Sequence, residues 1–298
     1  MTPASEKLPS ALVVLSGSEI EATFRPLRSV APNVFLSEDY AIKVLHSSSS
    51  QLQNELYVMN KLNGMTRQTL IFGHAYGYIL SPDSPLHFQD DSDDEWIQTR
   101  GHYAYLFMEP FESNFCDLPD EPKTNEDFFF EILIGLYYAR KEFSFCHWDI
   151  HRGQLMFNTL EEEEARCYRI GGDNDEDNDG FYVTITSSIE PKLVDFGKSV
   201  IEETGITTED LMMEGGSAWK DHHTLWNKSD IYHLALIFSH RENLSPTFRL
   251  FLEETVLPMY RSSMYATRPQ KDSSTNYTNI QDLLRLYFCA QQNETTDQ

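Results

Sequence analysis

Apolar positions recur along the chain in short blocks, and the blocks change period. Tyr40 to Leu45 (YAIKVL) and Tyr103 to Met108 (YAYLFM) are short apolar runs with β-branched and aromatic residues, which predicts buried strands. Ala11 to Leu15 and Asn33 to Ser37 predict further strands before them, and Leu70 to Leu80 contains others. Gln51 to Leu62 places Leu52, Leu56, Met59 and Leu62 at helical spacing, behind serines that can cap its start. Phe128 to Tyr138 is apolar all round and predicts a buried helix, with Asn125 expected as its cap and acids in its first turn. Leu155 to Phe157, Tyr182 to Thr186 and Pro191 to Val194 predict strands, and Ser229 to Ser239 a buried helix. Ser245 to Gln291 predicts two or three more helices, with Leu250, Phe251, Leu257, Leu283, Leu284 and Leu286 as core candidates.

This order gives a strand-rich first part and a helical second part, an α+β class. At 298 residues and 40% hydrophobic content the chain is long enough to bury a real core in one large domain or two lobes. Polar stretches interrupt it at Asp83 to Glu95 and at 160–180, and these contain 15 of the 47 acidic residues. Within the second, DNDEDNDG sets Asp at alternate positions like a calcium loop, but Thr184 and Ile185 stand where that loop needs its glutamate. A solvated, partly disordered insertion is therefore expected there.

The formal charge of −24 argues against nucleic-acid or anionic-membrane surfaces, which are bound through clusters of Lys and Arg. A basic protein or peptide fits such a surface better. The four cysteines lack metal-ligand or C-x-x-C spacing, which points to reduced thiols. With no signal peptide and no run approaching a membrane span, a cytoplasmic or nuclear protein is expected.

Chemistry concentrates in three places. Lys43 is the single charge inside YAIKVL; Phe145 to Phe157 reads FCHWDIHRGQLMF; Lys192 to Lys198 reads KLVDFGK. Together, in this order, they resemble the protein kinase signature set of a V-A-I-K strand, an H-R-D-x-x-x-x-N loop and a D-F-G turn. The resemblance implies a bilobal protein-kinase-like fold, with a small antiparallel β-rich N-lobe (1–109) and a mainly helical C-lobe (110–298), one kinase-like domain over 11–291. It implies ATP and Mg2+ as cofactors. Lys43, held by Glu55, would contact the α- and β-phosphates. Asp149 would take the acceptor proton, and Asp195 and Gln154 would bind metal. Met108 would be the gatekeeper, and Glu109 and Phe111 would meet the adenine edge. Gly17 would lie in the phosphate flap, and Asp230 would hold the catalytic-loop backbone.

Several positions depart from the family. SGSEIEATF carries one glycine of the usual three, Gln154 replaces asparagine, Trp148 replaces arginine, and A-P-E is missing. The missing arginine implies constitutive activity or control other than loop phosphorylation. The D-x-H-x-G form, with His151, looks like the loops of haspin-type kinases and of aminoglycoside and choline phosphotransferases, although D-F-G departs from haspin. The resemblance thus implies a serine/threonine protein kinase. It leaves open a small-molecule phosphotransferase, and a pseudokinase that binds nucleotide or serves as a scaffold.

Overall fold

A computed structural model describes residues 28–31, 34–46, 50–65, 67–81, 103–172, 180–201, 229–258 and 280–289. Ala11 to Leu15, Gly17, the Asp83 to Glu95 insertion, the DNDEDND run and nearly all of Ser199 to Lys228 lie outside these residues. The chain divides into two compact units, 1–64 with 73–111, and 65–72 with 112–298. The described residues form a mixed α+β structure with antiparallel sheets.

The first unit is a five-stranded sheet of β1 (Arg28–Ala31), β2 (Val34–Leu36), β3 (Ala41–His46), β4 (Ala75–Ser81) and β5 (Tyr103–Met108), in the order β1-β2-β3-β5-β4. All six residues of β5 are buried, which explains its unbroken apolar sequence. Phe35, Ile42, Val44, Tyr103, Tyr105 and Phe107 form one core cluster. Side chains alternate along β3, so Lys43, paired with Leu106, points away from the face that carries Ile42 and Val44. Helix α1 (Ser50–Asn63) buries Leu52, Leu56, Met59 and Leu62, as its spacing predicts. Strand β1 has no sequence signal, because RSVA at a sheet edge lacks alternation. Of Leu70 to Leu80, the later part is strand; Ile71 and Phe72 instead join the second unit, where the Ile71 carbonyl accepts the Leu193 N–H.

In the second unit, helix α2 (Pro122–Phe143) is the core, with Phe128 to Tyr137 buried on every side. It begins earlier than expected. Glu121 is the N-cap and Pro122 takes the first turn, where its missing N–H has no intrahelical use. Asn125 is therefore inside the helix; its amide donates to Asp120 and to the Asn243 carbonyl. Ser144, at φ 53°, ends the helix with its N–H turned back on the last carbonyls. Phe128 and Phe129 pack their rings against Phe238 of α3 (Ser229–Ser239) at 5.8 and 5.5 Å.

A second sheet, in the order β6-β7-β8, contains β6 (Ser113–Asn114), β7 (Leu155–Ile170) and β8 (Phe181–Leu193). This corrects part of the expectation for 160–180: Glu161 to Glu164 are exposed, as expected, but Glu161 to Ile170 is regular structure, half of a long hairpin paired from Leu155–Leu193 to Ile170–Phe181. The four consecutive glutamates mask the strand period on β7. On β8, Val183, Ile185, Ser187 and Ile189 alternate inward, and Glu131 of α2 ties to the hairpin by accepting from Arg166 and from the Tyr168 hydroxyl.

Helix α4 (Pro246–Leu250) starts at Ser245, whose hydroxyl accepts the Phe248 N–H, and runs on as wider turns over Phe251–Val256. Two core expectations fail here. Leu250 and Leu286 are each 55% exposed: α4 buries Phe248, the wider turns after it bury Phe251, Leu252 and Val256, and helix α5 (280–289) buries Ile280, Leu283, Leu284 and Tyr287.

Candidate functional site

In the first unit the geometry centres on one ion pair. The Lys43 ammonium lies 2.9 Å from both carboxylate oxygens of Glu55. Glu55 is fully buried and the Lys43 side chain is 14% exposed. Removing two charges from water costs several kcal/mol per ion, which their attraction offsets only in good geometry. A pair kept there fixes an ammonium at one point, and that is a reason to look for function. Met108 is buried between Ala41 and Ala75, while Glu109, Pro110 and Phe111 are half-buried. Glu109 is held at both ends: its N–H donates to the His74 carbonyl and its carboxylate accepts the His74 N–H. Gly17 is outside the described residues.

In the second unit the loop between α2 and β7 is fixed from beneath by Asp230, which is wholly buried. Its Oδ2 accepts the His147 N–H at 2.8 Å and its Oδ1 the Trp148 N–H at 2.9 Å. Arg140 of α2 donates to Oδ2 at 3.0 Å. Trp148 sits at φ 69°, a left-handed conformation that a bulky residue holds only when its surroundings impose it. Two residues before Asp149, the buried His147 ring contacts the Val194 carbonyl at 3.0 Å through Nε2 and receives the Asp149 N–H on Nδ1. Burial, the largest cause, lowers its pKa, so the ring is neutral at pH 7. Both contacts suit the neutral tautomer protonated at Nε2.

Asp195 has the same backbone departure, φ 69°. The next residue, Phe196, is buried against His147 at 5.4 Å, Phe145 at 6.2 Å and Phe72 at 6.1 Å between ring centroids. Backbone pairing of Cys146 with Val200, and of Val194 N–H with the Gln154 carbonyl, ties the two loops together. Two predicted site residues, Gln154 and Asp195, therefore meet, and Asp149 stands on the same loop pair. Gln154 Nε2 lies 3.0 Å from Asp195 Oδ2 and 3.1 Å from His151 Nε2, and Asp149 Oδ2 accepts from Lys198 at 2.9 Å.

Lys198 and Arg140 were not foreseen as parts of the site. Lys198 lies inside the KLVDFGK stretch that singled out Asp195, which was a usable signal for its pairing with Asp149. For Arg140, 90 positions before Asp230, the sequence offers no signal. Cys146 is no nucleophile: burial pushes its thiol up to about 11.

Magnesium fits the donors present, because a hard cation takes carboxylate and amide oxygens and keeps water or phosphate for the rest of its shell. Asp195 provides a carboxylate, and Gln154, whose Nε2 donates to Asp195 Oδ2 at 3.0 Å, presents its amide oxygen there once the amide is turned over. Among the described residues, no group of three or more His, Cys, Asp and Glu side chains could hold a metal alone. No helix among them is long and apolar enough to cross a membrane. A scan against protein-family models finds no match, and a search of curated proteins finds none either.

Proposed function

We propose that the chain is an ATP- and Mg2+-dependent phosphotransferase of bilobal, protein-kinase-like architecture that transfers the γ-phosphoryl group to a protein serine or threonine. The observation that carries the reading is the second unit's loop pair. A buried carboxylate at Asp230 holds the backbone that presents Asp149, while Gln154 and Asp195 stand 3.0 Å apart on the adjoining strand ends. The Lys43–Glu55 pair supports it independently.

Phosphoryl transfer needs positioning and charge compensation more than covalent help. Lys43, oriented by Glu55, binds the α- and β-phosphates of ATP. Asp195 and Gln154 would hold Mg2+, which when bound would supply positive charge against the phosphates. Asp149 orients the acceptor hydroxyl and takes its proton. Lys198 steadies the Asp149 carboxylate and adds a cation where phosphate charge accumulates. Met108, Glu109 and Phe111 form the adenine contact. The acceptor is a basic protein segment, in keeping with the charge of −24.

The test is a melting assay with Mg-ATP, followed by turnover with basic peptides, acidic peptides and small-molecule alcohols or aminoglycosides as acceptors. The expected result is a rise in Tm with Mg-ATP and transfer to basic peptides that Asp149→Asn abolishes. Transfer to small alcohols alone would move the assignment to a small-molecule phosphotransferase. A melting shift without turnover would leave a pseudokinase, and neither effect would refute the reading.

A further inference from the structure

The His151, Gln154 and Asp195 side chains make demands on one another that cannot all be met by hydrogen atoms. The Gly153 N–H donates to His151 Nδ1 at 3.0 Å, so in the neutral ring the proton is on Nε2. That Nε2–H faces the Gln154 amide at 3.1 Å and requires its oxygen. Asp195 Oδ2, 3.0 Å from the same amide atom, requires its nitrogen. With nitrogen there, two N–H donors confront each other at His151; with oxygen there, two oxygens confront each other at Asp195.

A cation resolves the second arrangement. Magnesium binds oxygen at about 2.1 Å with octahedral angles, which sets neighbouring ligand oxygens about 3.0 Å apart. That matches the separation of the Gln154 amide atom and Asp195 Oδ2. The backbone is built to keep the ring in place: a Cβ on Gly153 would lie 3.0 Å from His151 Cε1 and 3.1 Å from Nδ1, tighter than ordinary contact. Any other residue at 153 would press on the imidazole that its own N–H orients.

We propose that His151 is a positioning residue: its Nε2–H holds the Gln154 amide with the oxygen toward Asp195, so that Gln154 and Asp195 together bind a small divalent cation. Without that hydrogen bond the amide turns its nitrogen to Asp195 and the pair closes as a hydrogen bond instead. The proposal rests on the phosphotransferase reading for its purpose, but not for its test. Orienting contacts behind a ligand are worth about 10- to 100-fold in metal affinity.

The experiment is a titration with Mn2+ alone, followed by water-proton relaxation. Asp195→Asn defines the background from acidic tracts elsewhere on the chain. Above that background, wild type is expected to bind, and His151→Ala to bind at least about tenfold more weakly with its metal-free Tm unchanged. In a Gln154→Glu background, where both side-chain oxygens can bind metal and no amide has to be turned, His151→Ala should change affinity less than about twofold. A merely structural role would weaken both backgrounds alike. The proposal is overturned if wild type binds no better than Asp195→Asn, if His151→Ala binds as wild type does, or if the loss is equal in both backgrounds. Failure of the enzyme reading looks different: metal binding would follow these rules while no acceptor is phosphorylated.

Discussion

The strongest demand on the second unit is made at Asp230, and Asp230→Asn tests it. The carboxylate is 0% exposed, accepts the His147 and Trp148 N–H groups and pairs with Arg140, whose side chain is 3% exposed. The amide keeps one acceptor oxygen, so one backbone N–H stays satisfied. The other then meets an NH2 group, and the Arg140 guanidinium loses the charge of this carboxylate inside the fold. Breaking one side of a buried ion pair costs about 3–5 kcal/mol, because the remaining charge stays desolvated. At roughly 2–4 °C per kcal/mol for a domain of this size, the Tm should fall by about 6–20 °C. Trp148 would also lose the contact that holds it at φ 69°, so Asp149 should be mispositioned and transfer lost even below the new Tm. Urea unfolding of wild type, Asp230→Asn, Arg140→Met and the double variant provides the assay. The double variant should lose at least about 1 kcal/mol less than the sum of the singles. The reasoning fails if Asp230→Asn costs under about 1 kcal/mol, or if the two singles simply add.

Other expectations follow from the same geometry. Burial holds the His147 imidazole below its ordinary pKa. The unfolded chain therefore takes up a proton below about pH 6.5 that the folded chain refuses. Stability should fall as pH drops from 6.5 toward the folded value, by at most about 1.4 kcal/mol per pH unit from this group. His147→Gln, which keeps an N–H for Val194, should flatten that slope in urea midpoints measured at several pH values, leaving the part due to His233, which is shifted the same way. Lys198→Ala removes the partner of Asp149 and should lower kcat by about one to two orders of magnitude with little change in KM for ATP; an unchanged kcat would show the pair to be incidental. Tyr168→Phe removes the hydroxyl that donates to buried Glu131, and should cost about 1–3 kcal/mol in urea unfolding while leaving transfer intact.

The sequence carried the strands and helices wherever burial is periodic or complete. YAYLFM reads as a strand buried on all sides, and Leu52, Leu56, Met59 and Leu62 mark the inner face of α1. It carried the loop residues because each occupies a fixed offset from a neighbour: Asp149, Gln154 and Asp195 share one loop pair, and Glu55 follows Lys43 by 12 positions, a short connection and the first turns of α1. It failed where tertiary contacts outweigh local composition. EEEE over Glu161–Glu164 is a solvated tract, as it looks, yet it is part of β7: the pairing with an alternating partner strand skips register between Thr159 and Glu164 and resumes beyond it. Leu250 and Leu286 look like core residues, but each is on the outer side of its own helix, where Phe248, Phe251 and Leu252 in one case and Leu283, Leu284 and Tyr287 in the other take the core. Arg140 reaches Asp230 across 90 positions, and periodicity cannot report such a contact. The long hairpin was hidden for a related reason, since its inward set on β8 includes Ser187, which is buried without being apolar.

The proposed phosphotransferase activity depends on one claim, that Lys43 and Asp195 serve the same nucleotide. An acyl-phosphate derivative of ATP transfers its acyl group to a lysine amine beside the bound phosphates, and peptide mass spectrometry identifies the lysine. The account predicts that Lys43 is the principal labelled lysine, that excess ATP with Mg2+ protects it, and that Asp195→Asn lowers its labelling severalfold without lowering the Tm of the free protein. Labelling spread over surface lysines, or labelling of Lys43 that neither ATP nor Asp195→Asn affects, would contradict it.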